Sequence, residues 1–175
     1  NGVFVVTTRC KGVAAMLGDP ELVPELDSAT GLRLLGEIAP RAVAADPDAA
    51  ANLVGAVCGL PLALVLIGKY LRRESAEGDP DRIAAAFQTV SEAGHRLEIN
   101  PGEEDGSRSL AEIIEVSFSA LRSDAARQAM LALSIFRPKP DAFSKEIALH
   151  VAGTQPGILY DLSDIGLIEH YGDGK

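Results

Sequence analysis

Residues 53–68 read LVGAVCGLPLALVLIG, sixteen positions without a charged or strongly polar side chain. Two structures compete for such a run: a membrane span, or two buried helices meeting at a corner. A spanning helix needs about 20 continuous apolar residues. This run is shorter, and Gly59-Leu60-Pro61 interrupts it near its middle. Glycine loosens the backbone and proline has no amide hydrogen to extend a helix, so the chain turns there. Gly55 and Gly59 share the spacing of a membrane helix-pairing motif, but the length decides against that reading. The run therefore predicts a helix to about Cys58, a corner, and a second buried helix over Leu62 to Arg72.

The helical pattern extends on both sides of the corner. Asp27 or Ser28 caps a helix carrying Leu32, Leu34, Leu35 and Ile38, ending near Pro40 or a little beyond. Asp46-Pro47-Asp48 starts the helix that enters the corner, with proline in the first turn and carboxylates at the positive end of the dipole. Asp79-Pro80-Asp81 repeats that signal for a helix to about Leu97. Asn100 to Ser107, rich in Gly, Glu and Asp, reads as a linker. Helices follow over Leu110 to Leu121, Asp124 to Phe136 and Ser144 to Ala152. A fourth begins near Gln155-Pro156 and ends at Gly166. Leu167 to Tyr171 then reads as a strand entering the Gly172-Asp173-Gly174 turn, the layout of a winged helix.

The N-terminal stretch is different. Val3-Phe4-Val5-Val6-Thr7-Thr8 has the continuous apolar pattern of a strand buried on both faces of a parallel sheet. Glu21 to Leu26 reads as a second, edge strand bounded by Pro20 and Pro24, with a short helix over Gly12 to Leu17 between them. Two strands need more neighbours to be stable, so the sheet is expected to continue outside Asn1 to Lys175, and the closing turn points the same way. The expected fold is mainly α: terminal strands of an α/β domain at 1–27, a helical bundle at 28–99, a linker at 100–107 and an incomplete winged helix at 108–175.

Apolar residues make up 47% of the chain and the net charge is −9, which describes a folded protein and disfavours nucleic acid or an anionic membrane as main partner. Arg outnumbers Lys and Ala is abundant, as in GC-rich bacteria. Cys10 and Cys58 stand apart in apolar surroundings and read as reduced structural thiols of a cytoplasmic protein.

Enzyme motifs are missing. Leu66-Ile67-Gly68-Lys69-Tyr70 imitates the tail of a phosphate-binding loop. That loop, however, requires Gly where Ala63 stands and Ser or Thr where Tyr70 stands. Lys69 also falls inside a predicted helix. His95, His150 and His170 are isolated, no Gly-x-Ser-x-Gly elbow occurs, and the carboxylates fall in caps, helix faces and the linker.

What remains is an ordered set of motifs. Val5-Val6-Thr7-Thr8-Arg9 resembles the strand-end motif of NB-ARC ATPases, which belong to the STAND class of signalling switches. Cys58-Gly59-Leu60-Pro61-Leu62-Ala63-Leu64 resembles their glycine–proline motif. Leu110 to Phe136, containing Ser117-Phe118-Ser119-Ala120-Leu121, and Leu162 to Lys175 resemble the opening and the end of their winged helix.

The resemblance implies an ADP- or ATP-dependent switch, with magnesium, in a signalling or transcriptional regulator. It places Thr8 and Arg9 at the phosphates, Arg9 as sensor of the terminal one, and Gly59, Leu60 and Pro61 at the nucleotide, Pro61 against the adenine. It further implies an upstream nucleotide-binding domain as partner and assembly in the ATP-bound state. These 175 residues contain no phosphate loop and are expected to be inactive alone. His170 precedes the wing turn, whereas the family's nucleotide-contacting His follows it, so His170 is read as a strand residue. Two rival readings are a DNA-binding winged helix and a helical scaffold. The first is opposed by Asp161 and Asp164 on the candidate reading helix and by the lack of Lys or Arg between Lys145 and Lys175.

Overall fold

The computed structural model describes residues 4–8, 10–98, 107–137 and 141–169. The described residues are mainly helical, with α1 Lys11–Leu17, α2 Ser28–Ile38, α3 Pro40–Ala45, α4 Pro47–Ala56, α5 Pro61–Glu74, α6 Pro80–Glu98, α7 Ser107–Ser119, α8 Asp124–Leu133, α9 Lys145–Ala152 and α10 Pro156–Asp164.

Helix starts follow local chemistry. The Asp27 carboxylate accepts from Thr30 N at 2.7 Å, and the Asp46 carboxylate from Ala49 N at 2.8 Å. Ser123 and Ser144 hydroxyls do the same for α8 and α9. Each cap satisfies an amide with no partner inside its helix. Proline occupies the first turn of α3, α4, α5 and α10. The region between Ala39 and Asp46 forms a separate helix rather than an extension of α2. Pro40 has no amide to donate backward, and Ala39 leaves helical geometry at φ −128°.

Two cores are built from these helices. The first joins α2 to α7 through Leu35, Leu53, Leu64, Ile67, Phe87 and Ile113. Within it α2 lies directly on α4 and α5, and one glycine permits each approach. A Cβ on Gly31 would stand 2.6 Å from Val54 Cγ1, and one on Gly68 would stand 2.8 Å from Ile38 Cγ2. The second core packs α8 against α9 and α10 through Leu121, Leu133, Leu159, Leu162 and Ile165. Helix α7 follows the proposed linker yet serves both, placing Ile113 in the first core and Phe118 against the second.

Basic side chains tie helix ends together. Lys69 Nζ on α5 donates to Ser163 O at the end of α10 over 2.9 Å. Arg73 Nη2 donates to Ala120 O just past α7, and Arg41 Nη1 to Ala76 O just past α5, each over 2.6 Å. Cations at helix C-termini satisfy free carbonyls and oppose the dipole.

The expected strands are not formed among the described residues. Phe4 and Val5 are 90% and 88% exposed, and Leu22 and Val23 are 85% and 88% exposed. A strand exists only through a neighbour's hydrogen bonds, and neither stretch has one to pair with among the described residues. Leu167 to Glu169 is likewise not a strand, while His170, Tyr171 and the wing turn lie outside the described residues. Helices α8 to α10 lie where the sequence pattern predicts helices. Both cysteines are free and exposed, against the expectation of structural thiols; Cys58 is carried outward by the corner itself.

Candidate functional site

The corner between α4 and α5 has the geometry that its composition requires. Helix α4 closes with Val57 N bonded to Leu53 O, Cys58 N to Gly55 O and Gly59 N to Val54 O. Cys58 and Gly59 then both take left-handed backbone, at φ +50° and +65°. Cys58 is the one non-glycine residue with positive φ among the described residues, a conformation that costs an ordinary side chain about 1 kcal/mol or more. Leu60 returns to extended backbone at φ −66°, ψ 114°, and Pro61 opens α5.

Burial divides the corner into a sealed floor and an open rim. Gly59 is buried and Leu60 half-buried against the first core, whereas Cys58, Pro61 and Leu62 are exposed. Pro61 thus offers a rigid apolar face at the edge of the bundle. Leu62 beside it is 45% exposed and widens that face.

The corner is sealed from the other side by the segment that precedes α2. Leu26 N donates to Gly59 O at 3.1 Å. An added Cβ on Gly59 would overlap Leu26 O. No side chain is tolerated at such an approach, so both φ and contact demand glycine. Asp27, the next residue, caps α2 and is held below its ordinary pKa chiefly by the Thr30 amide, then by the Thr30 hydroxyl.

Of the predicted site residues, Gly59, Leu60 and Pro61 are neighbours in the chain itself. They form the corner as expected. Thr8 is exposed, and its hydroxyl accepts from Cys10 N at 3.1 Å. Arg9 lies outside the described residues. Nothing in the sequence marks Leu26 as a site residue, because its bond to Gly59 spans 33 positions and leaves no local signal.

Lys69 sits on α5 as the helical pattern indicates, and its ammonium is engaged at α10 rather than at a phosphate cradle. A separate cleft of about 440 Å³ opens between α5, α6 and α7, lined by Tyr70, Thr89, Glu92, Glu115 and Ser119. Tyr70 is about 13 Å along the helix from Pro61, so this cleft is not the corner. Burial, then the Glu74 charge, raises the Tyr70 phenol above its ordinary 10.0. Among the described residues no group of three or more His, Cys, Asp or Glu could hold a metal ion. No protein-family model, curated protein or solved structure matches this chain.

Proposed function

We propose that this chain is the helical and regulatory part of an ADP/ATP-dependent switch of the NB-ARC type. The observation that carries the reading is the corner: an exposed proline at the first turn of α5, held over a buried glycine whose φ is +65°. A flat apolar face beside backbone polar groups suits an adenine base, which stacks on its faces and hydrogen-bonds at its edge. The residues that would hold the base are Gly59, Leu60 and Pro61. Thr8 and Arg9 would meet the phosphates; a guanidinium suits that role because its planar fork makes paired, charge-assisted bonds. The phosphate loop and magnesium carboxylates must come from elsewhere in the protein, since no such motif occurs in these 175 residues.

A nucleotide acts as a switch only to the extent that it prefers one arrangement of the domains. The resemblance assigns the closed arrangement to ADP and release to ATP. The test is calorimetric titration of the full-length protein. Arg9→Ala is expected to weaken ATP more than ADP, by roughly ten- to a hundredfold, the worth of a charge-assisted bond of about 1.5–3 kcal/mol. Pro61→Ala weakens both nucleotides by a similar factor, because both carry the same base. Equal losses in the Arg9 variant refute the sensor role, and unchanged binding in both variants leaves a helical scaffold as the better reading.

A further inference from the structure

We infer that the Leu26 backbone is a positioning element of the nucleotide site: its peptide is stapled to Gly59 and sets the place of the Pro61 face. The inference rests on the nucleotide reading above and deepens it by naming what aligns the base-contacting edge. Three observations meet at this point. Leu26 N donates to Gly59 O at 3.1 Å, so the two backbones are bonded. Their approach leaves no room for a Cβ, because one on Gly59 would overlap Leu26 O and stand 3.0 Å from Leu26 C. The residues on either side are anchored independently: Asp27 caps α2, and Leu60 packs on the first core.

The consequence is geometric. Pro61 lies two residues beyond the staple and is exposed, so the path of its approach is set by Gly59 and Leu60. Cys58 occupies left-handed backbone at a cost to its side chain, whereas Gly59 adopts it freely, so the corner is fixed by its bonds rather than by the φ of Gly59. Leu26 is the described contact that holds Gly59 there from outside α4 and α5. Base contact depends on this alignment and phosphate number does not. The staple therefore affects adenine nucleotides alike, whatever their phosphates.

The test uses the full-length protein and replaces Leu26 by its α-hydroxy acid, which turns the 25–26 peptide into an ester. This removes the N–H and keeps the side chain. Gly59→Ala is made in parallel, with helicity followed by circular dichroism. Affinity for ADP and for ATP is expected to fall by about tenfold in the ester variant, equally for both. Combined with Pro61→Ala, the ester is expected to add little further loss, since both changes act on one contact. Additive losses show that Leu26 acts independently of the Pro61 contact and overturn the inference. A fully helical ester variant that binds like the unmodified protein overturns it too, even where Gly59→Ala fails to fold. Nucleotide binding that is lost in Pro61→Ala but kept in the ester variant sinks the staple alone. An unmodified protein that binds neither nucleotide sinks the nucleotide reading with it.

Discussion

Lys69→Met removes one ammonium and keeps most of the aliphatic stem, so it isolates the bond that joins α5 of the first core to α10 of the second. Lys69 Nζ stands 2.9 Å from Ser163 O and is only partly buried. A hydrogen bond from a charged donor is worth about 1.5–3 kcal/mol when its loss strands the partner. Ser163 O is not stranded, because Gly166 N also donates to it at 3.1 Å. The stem packs within reach of Gly166, where an added Cβ would meet Lys69 Cδ at 3.0 Å, and methionine preserves that contact. The expected cost therefore falls below that range, at about 1 kcal/mol, or roughly fivefold in local opening. Hydrogen exchange read by mass spectrometry measures it: α10 amides exchange roughly fivefold faster, and those of α2 to α5 stay near their original rates. If the proposed nucleotide reading holds, nucleotide affinity of the full-length protein is expected to stay unchanged, because this lysine caps a helix rather than cradling phosphate. Unaltered α10 exchange, or equal acceleration across α2 to α5, refutes the assignment.

Leu64→Ala empties a fully buried position in the first core and is expected to cost about 2–5 kcal/mol in urea unfolding; a cost below about 1 kcal/mol argues that this core is not packed as described. Gly55→Ala and Gly68→Ala should differ in sign on thermal melting. Open space surrounds Gly55, so helix propensity stabilises it by about 0.5–1 kcal/mol, whereas a Cβ at Gly68 meets Ile38 at 2.8 Å and crowding costs about 1–3 kcal/mol. Glu74 accepts from Arg82 Nε at 2.8 Å and Arg73 Nε at 3.1 Å. Burial raises its carboxyl, but these bonds outweigh it and hold the pKa below the ordinary 4.5. A depressed folded-state value stabilises the fold above pH 4.5 and is lost as pH falls through the lower folded value. Glu74→Gln should thus cost about 1 kcal/mol at about pH 7, after screening, and narrow to little difference in strong acid; a gap that widens on acidification contradicts the ion-pair assignment.

Sequence alone determined where most helices start and where the apolar run breaks. Asp27, Asp46, Ser123 and Ser144 act on amides three positions away, and Gly59-Leu60-Pro61 acts on its own backbone. Such interactions are complete within one turn, so they are legible without the rest of the chain. Val3 to Thr8 and Glu21 to Leu26 carry the composition of strands, but a strand requires a partner's ladder, and composition cannot supply one. Tertiary structure decided the rest. Ile113 joins the first core although it follows the linker, Cys58 faces outward despite apolar neighbours, and Lys69 finds a carbonyl 94 residues away. Gly31 and Gly68 matter because one helix lies on another, and Leu26 matters because its peptide reaches Gly59. Contacts between distant residues follow from how helices stack, and their partners are set by shape and approach that no local pattern records.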